Sequence, residues 1–148
     1  MFKKNLLILL FLLVYSCGYT PMTEYKLKSD INIVINEIKG DEEINNIYKK
    51  IANSYARNES QKKLFLNIDT NFTKTIISKD LKGNASDYRL IINSVFTTDN
   101  KKTISITKDF IVKKFDENFQ QQNYENQIKE NLANIIYQDL IRQLTILQ

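Results

Sequence analysis

The 148-residue sequence contains no histidine and a single cysteine, Cys17. Without histidine a cysteine nucleophile lacks its usual base, and without a second cysteine the chain has no internal disulfide. A metal site made of the common histidine and cysteine ligands is excluded for the same reason. The three glycines, Gly18, Gly40 and Gly83, are too widely spaced for a phosphate-binding loop. These absences argue against an enzyme, and we predict no catalytic residue, no metal and no cofactor.

The excess of positive charge is small, with 21 lysines and arginines against 17 aspartates and glutamates. Domains that bind nucleic acid are strongly basic as a rule, so we do not expect a nucleic-acid partner. Adjacent carboxylates occur at Asp41-Glu42-Glu43, where an apolar helical pattern begins and capping explains them. Acid–base catalysis by two carboxylates that are distant in the sequence is the enzymatic alternative left open.

Residues 1–16 have the layout of a secretory signal. Lys3 and Lys4 supply positive charge, Leu6 to Tyr15 is an unbroken apolar run of ten residues, and Ser16 is a small residue before a cleavage site. Ten helical residues span about 15 Å, roughly half of the hydrocarbon core of a bilayer. The run therefore predicts a cleaved signal and not a membrane span.

Cys17 follows Ser16 directly, and the segment Val14-Tyr15-Ser16-Cys17 resembles a bacterial lipobox. In such signals the thiol receives fatty-acyl chains, palmitate among them, and the chain is cut before the cysteine; Tyr15 departs from the usual small or β-branched residue. An ordinary signal with an incidental cysteine is the alternative. Each buried CH₂ contributes about 0.8 kcal/mol, so several acyl chains would anchor the protein lastingly. We predict Cys17 as the lipid attachment residue. The residue after it is glycine, and in this the sequence resembles lipoproteins that are sorted to the outer membrane.

Residues 17–30 include the only proline and show no sustained periodicity, which is typical of a tether. Residues 31–148 suit one domain. Alternating apolar residues there indicate strands at 31–38, from Leu64 to Phe72, at 87–98 and from Ile104 through Phe110 to Val112, with a hairpin turn at 99–102. Helical spacing is shown by Ile44, Ile47, Tyr48, Ile51, Ala52 and Tyr55.

A long amphipathic helix closes the chain, with an apolar stripe made of Tyr124, Ile128, Leu132, Ile135, Ile136, Leu140, Leu144 and Leu147. The order β-α-β-β-β-α predicts a two-layer α+β sandwich, in which two helices pack on one face of a four-stranded, mostly antiparallel sheet. The stripe on the last helix is assigned to the core of this domain, with a partner helix as the alternative.

Lysines occur in pairs, at Lys49-Lys50, Lys62-Lys63, Lys101-Lys102 and Lys113-Lys114, and Lys79 and Lys82 share one loop. Solvated surface is the ordinary explanation of such pairs, and anion binding is the functional one. Spacing alone does not bring the hairpin pair Lys101-Lys102 close to Lys79 and Lys82.

Three stretches carry a family resemblance. "CGYTP" is similar to the start of the mature LPS-assembly lipoproteins of the LptE type, and "NASDYRLIINSVFTTDNKKTISITKDFIVKKFDENF" is similar to their central hairpin. "NLANIIYQDLIRQL" resembles their closing helix. The resemblance spans residues 17–148 and implies a non-enzymatic protein on the periplasmic side of the outer membrane. Such proteins plug and help to assemble an LptD-type β-barrel and assist the insertion of lipopolysaccharide.

The resemblance also implies basic residues near the start of the central hairpin, where Lys82 is the nearest match and Lys79 its neighbour. We therefore predict lipopolysaccharide contacts at Lys82 and Lys79, with Lys101 and Lys102 as further candidates. Relatives have a second basic site near the start of the last helix. The corresponding stretch of this chain is "FQQQNYENQ", which has no lysine or arginine. The alternatives are an auxiliary lipoprotein of a lipid-transporting ABC system, a lipid-anchored hydrolase and a purely structural envelope lipoprotein.

Overall fold

The computed structural model describes residues 31–55 and 62–146. In chain order these residues form β1 (Ile31–Gly40), α1 (Glu42–Tyr55), β2 (Lys62–Lys79), β3 (Ala85–Thr98), β4 (Thr103–Lys113) and α2 (Asn118–Ile146). The predicted order β-α-β-β-β-α is confirmed. The predicted signal, the tether with Cys17, and Leu147 lie outside the described residues.

The four strands form one mixed sheet in the order β1-β2-β3-β4. β1 and β2 are parallel, and α1 supplies the crossover that a parallel pair requires. β2 pairs antiparallel with β3, and β3 antiparallel with β4. β2 has 18 residues and β3 has 14, whereas β1 has 10 and β4 has 11, so the central hairpin is longer than its neighbours. Two of the three pairings are antiparallel, as predicted.

Both helices lie on one face of the sheet and enclose the core. The inward residues alternate along the two central strands as the sequence predicts, with Leu66, Ile68, Leu90, Ile92 and Phe96 all buried. The alternation also buries Thr70 and Ser94, which face the helices like their apolar neighbours.

Tyr48 of α1 crosses the middle of the core. Its hydroxyl lies 2.7 Å from the hydroxyl of Ser94, and its ring meets the edge of the Phe96 ring with the centroids 5.8 Å apart. Burial raises the pKa of Tyr48 far above its ordinary value, so the phenol stays neutral while bonded to Ser94. This contact satisfies both hydroxyls and ties α1 to β3.

α2 buries Ile128, Leu132, Ile136, Leu140 and Leu144 as predicted, which assigns most of the stripe to the core. The same prediction was wrong for Ile135, which is 44% exposed. A helix turns about 100° per residue, so Ile135 lies on the side of Ile136 away from the centre of the buried face. Ala133, Tyr137 and Ile141 complete that face instead. Phe110 lies on the edge strand β4 and is 42% exposed.

The corner between β1 and α1 is closed by a glycine. Gly40 has a φ of +94°, and a Cβ at this position would lie 1.8 Å from the carbonyl oxygen of Thr70. The Asp41 amide donates to that carbonyl at 3.1 Å, and the Asp41 carboxylate accepts from the amide of Ile44 at 2.9 Å as an N-cap. The Thr70 hydroxyl donates to Oδ1 of buried Asn45 at 2.7 Å.

Candidate functional site

The turn between β2 and β3 carries Lys82, the first of the predicted contact residues. Asp80 organises this turn, because one carboxylate oxygen accepts from the amides of Lys82 at 2.9 Å and Asn84 at 2.8 Å. The other oxygen accepts from the Asn84 side chain at 3.1 Å. Gly83, with a φ of +85°, donates its amide to the Asp80 carbonyl at 3.0 Å. Lys82 is therefore held at the tip of an ordered turn with its side chain exposed.

Four lysines meet at this end of the sheet. Lys79 is the last residue of β2, Lys82 lies in the turn, Lys113 ends β4 and Lys114 follows it. The amide of Lys114 donates to the carbonyl of Ser86 at 2.8 Å, which attaches the end of β4 to the start of β3. All four lysines are exposed. The Lys113-Lys114 pair was not among the predicted contact residues, because only the β3–β4 pairing brings it to the turn at 80–84.

Two carboxylates lie among these lysines. The hydroxyl of Ser78 donates to Asp87, and that of Ser86 does so at 3.1 Å. The bond from Ser78 lowers the pKa of Asp87, with further help from Ser86 and from the charge of Lys113. The bonds from Asn84 lower the pKa of Asp80, with smaller contributions from the Lys82 amide and the charge of Lys114. Both carboxylates are thus ionised at neutral pH and lie at the same end of the sheet as the four exposed lysines.

Exposed apolar side chains surround the same lysines. Ile76 is 54% exposed, Ile77 is 43% exposed, Ile111 is 50% exposed, and Leu81 in the turn is fully exposed. The register of β2 with β3 shifts between Ile76 and Ser78, so Ile77 lies outside the regular pairing, next to the exposed Ile76. The arrangement joins ammonium groups to apolar surface, which is the chemistry that an anionic amphiphile requires.

A polar cluster joins the hairpin to α2 just before this end. Lys74 Nζ lies 2.5 Å from Oε1 of Glu125 and 4.2 Å from the centre of the Tyr88 ring. Gln121 donates to the same carboxylate oxygen, and its own side-chain oxygen accepts from the amide of Phe115 at 2.7 Å. Gln121 and Glu125 are both buried. This cluster is where α2 stops covering the hairpin, which projects beyond it.

Lys101 and Lys102 lie in the other turn, between β3 and β4. The amide of Lys102 donates to the Thr98 hydroxyl at 3.1 Å, and Lys101 has a φ of +61°. β3 separates the two turns, and its 14 residues at about 3.4 Å per residue span roughly 45 Å. The four predicted contact residues therefore do not form one site: Lys79 and Lys82 share an end with Lys113 and Lys114, whereas Lys101 and Lys102 do not.

Over residues 31–55 and 62–146, no group of three or more His, Cys, Asp or Glu side chains is arranged to hold a metal ion. Neither of the helices in these ranges is long and apolar enough to span a membrane.

Comparison with models of protein families gives no match, and comparison with curated protein sequences gives none. Solved structures do match. Rare lipoprotein B from Shewanella oneidensis superposes with a TM-score of 0.52 at 12% identity, over 78% of this chain and 98% of that one. A lipoprotein B from Nitrosomonas europaea gives 0.48 at 12% identity, over 78% and 84% of the two chains. A minor lipoprotein from Acinetobacter baumannii gives 0.46 at 12%, over 78% and 93%. The chain shares its fold with the Shewanella protein.

Proposed function

We propose that this protein is a lipid-anchored outer-membrane lipoprotein that binds lipopolysaccharide and plugs an LptD-type β-barrel, which it helps to assemble. The proposal rests on the composition of the hairpin end, where exposed lysines and exposed apolar side chains such as Leu81 occur together. The lysines are Lys79, Lys82, Lys113 and Lys114. Lipid A combines phosphate groups with acyl chains. Ammonium groups pair with phosphates through charge-assisted hydrogen bonds, and the apolar residues offer contacts to acyl chains.

The anchor in this proposal is Cys17, whose position after an apolar run is the sequence signature of lipidation. The solved structure that shares this fold is named rare lipoprotein B, which agrees with a lipid anchor. The domain then lies on the periplasmic side of the membrane, tethered through residues 17–30. No enzymatic step is part of this role.

The outward face of the sheet supports a position inside a barrel. Both helices lie on the opposite face, and no other described element covers this one. Its middle carries neutral polar side chains, among them Asn71, Thr73, Asn93 and Thr107. Wide outer-membrane barrels have polar interiors, so the neutral polar side chains in the middle of this face suit contact with such a wall.

Reversing one charge at the hairpin end tests the lipopolysaccharide contact. Lys82→Glu replaces an attraction of roughly 1.5–3 kcal/mol by a repulsion, so we expect lipopolysaccharide binding to weaken at least tenfold. Lys101→Glu makes the same change at the opposite end of β3 and should leave binding within about twofold. Binding is measured by retention of lipopolysaccharide on the immobilised full chain.

The same two variants test the barrel separately. Co-purification of the β-barrel from detergent-solubilised outer membranes should survive both substitutions, because no single rim lysine dominates a large interface. Equal lipopolysaccharide binding by both variants would remove the hairpin end from the site. Recovery of a permease in place of a barrel would favour the ABC-transport alternative.

The anchor has its own test. Cys17→Ala removes the thiol that would be acylated, so we expect an unprocessed or soluble protein in membrane fractionation. Cys17→Ser is the matched variant, since serine is close to cysteine in size but has no thiol to which the lipid could be attached. Normal processing and membrane retention of both variants would contradict lipidation at this residue.

A further inference from the structure

The edge of the sheet formed by β1 differs from the edge formed by β4. β1 pairs with β2 alone, and within the described residues nothing pairs with its other side. Its first six residues, 31–36, contain no charge, no proline and no glycine. β4 carries Lys108, Asp109 and Lys113, and Lys108 is ion-paired with Asp139 of α2 at 2.7 Å. Charges protect an edge against strand addition, so β1 is the open edge of this sheet.

A groove runs along this open edge, between β1 and α1. It has a volume of about 520 Å³, and apolar side chains, among them Ile33, Ile35, Ile38 and Ala52, line it together with three asparagines and two lysines. Ile33 and Ala52 are buried, and Ile35 and Ile38 are half-buried. An edge strand with a helix beside it and an apolar groove between them is the arrangement in which a protein takes up an extended peptide by strand addition.

The charges of the groove are of one sign. Lys49 of α1 and Lys63 of β2 line it, together with apolar and amide side chains and without a carboxylate. Within the described residues neither lysine takes part in an ion pair. Lys50, the next residue of α1, lies instead in the cleft between α1 and α2, beside Glu43 and Glu130. One member of the Lys49-Lys50 pair thus has acidic neighbours, and the other faces the groove.

We propose that this groove binds an extended peptide segment of a partner protein. The segment adds as a strand to β1, inserts alternate apolar side chains between β1 and α1, and places a carboxylate beside Lys49 or Lys63. An acyl chain would use the apolar lining but not the backbone groups of the edge. A second copy paired edge to edge would bring the lysines of both grooves together, which like charges disfavour. A peptide with alternating apolar residues and an acidic end uses every feature of the groove.

A synthetic peptide tests this directly. The probe is a fluorescein-labelled heptapeptide of alternating valine and threonine with a terminal aspartate, and the full chain is titrated into it while fluorescence anisotropy is recorded. We expect saturable binding. A peptide of the same sequence with an N-methyl group on every backbone amide should bind at least tenfold more weakly, because neither of its edges can donate the hydrogen bonds of a strand pair. Absence of binding, or equal binding of the methylated peptide, would overturn the proposal.

Charge reversal identifies the groove. Lys49→Glu should weaken binding of the acidic probe about fivefold, which is the scale of a surface ion pair. Lys50→Glu, one residue away on the same helix, should change it less than about twofold. With lysine replacing the aspartate of the probe, the effect of Lys49→Glu should change sign. Equal effects of the two substitutions would place the peptide elsewhere.

Amide hydrogen exchange locates the added strand. The probe should slow exchange in residues 31–36 and leave the edge strand β4 unchanged. Slowed exchange at β4 would contradict the proposal. Exchange in residues 31–36 could already be slow before the peptide is added. If the probe also fails to bind, the proposal is overturned, because the chain's own N-terminal segment would then occupy the edge.

Discussion

The two ends of the central hairpin are built differently. Towards the β3–β4 turn, β2 and β3 lie under the helices, and each second residue from Leu90 to Thr98 is buried. Towards the β2–β3 turn, apolar residues such as Ile76 and Leu81 are exposed, and the carboxylates of Asp80 and Asp87 organise the chain. The first end is held by packing and the second by local hydrogen bonds. Surface segments positioned by a rigid scaffold commonly carry function, and here the projecting end carries Lys79 and Lys82, with Lys113 and Lys114 beside them.

The polar cluster of Lys74, Gln121 and Glu125 marks the boundary between these regions. On one side of it α2 covers the sheet, and on the other the residues of β2 and of the β2–β3 turn are mostly exposed. Substitutions on the covered side should therefore change the free energy of unfolding of the whole domain. Substitutions on the projecting side should change local order and binding while the domain stays folded.

The largest effect is expected for Leu132→Asp on the covered side. Leu132 is 5% exposed, and an unpaired carboxylate buried there should cost about 3–5 kcal/mol of unfolding free energy. Ile135→Asp is the matched control on the same helix, since Ile135 is 44% exposed, and it should cost less than about 1 kcal/mol. Denaturant titrations measure both. Similar costs would mean that the buried face of α2 is assigned wrongly.

A smaller difference is expected between two glycines. Gly40→Ala should lower the free energy of unfolding by at least about 2 kcal/mol. The added Cβ would collide with the Thr70 carbonyl, and an alanine is strained at the positive φ of this position. Gly83→Ala, at the projecting turn, should cost about 1 kcal/mol, since its φ is also positive but no atom lies within 4 Å of the added Cβ. Thermal unfolding of the two variants checks the order, and a reversed order would contradict the close approach at Thr70.

The smallest effect is a pH dependence confined to the projecting turn. Hydrogen bonds from Asn84 lower the pKa of Asp80 in the folded protein. The ionised carboxylate therefore stabilises the turn above its unfolded pKa of about 3.9, and this stabilisation is lost as the pH falls through the lower folded value. NMR titration of the Lys82 and Asn84 amides should show a transition below about pH 3.9. Asp80→Ala should abolish that transition while the core remains folded, and its persistence would assign the titration to another group.

The sequence predicted much of the fold because its signals are local. Alternation placed Leu90, Ile92, Ser94 and Phe96 on one face, and all four are buried. The predicted strand at 31–38 and the helical pattern that begins at Asp41-Glu42-Glu43 meet at the β1–α1 corner. The long terminal helix was predicted from spacing alone, but its buried face was misjudged at Ile135. The apolar residues of a long helix are compatible with several buried faces. Which face is buried depends on the sheet and the other helix that pack against it.

The site was less predictable, because its members are distant in the sequence. Lys82 was predicted from its position in the loop before β3, and Lys101 and Lys102 were named as further candidates whose distance from it spacing could not give. The structure places their turn at the opposite end of β3. Lys113 and Lys114 arrive from the end of β4, through a pairing that no single segment specifies. The open edge of β1 was likewise invisible, because strand order is a property of the whole sheet.

The sequence by itself determined the order and type of the elements, since periodicity and breaking residues act over a few neighbours. It also determined the chemistry that the chain lacks, because a missing histidine or second cysteine is missing in any fold. The tertiary structure alone decided which lysines share an end of the sheet, which side of α2 is buried, and which edge strand remains open. Those outcomes depend on pairing between residues far apart in the chain, and the local spacing of residues does not determine which distant segments pair.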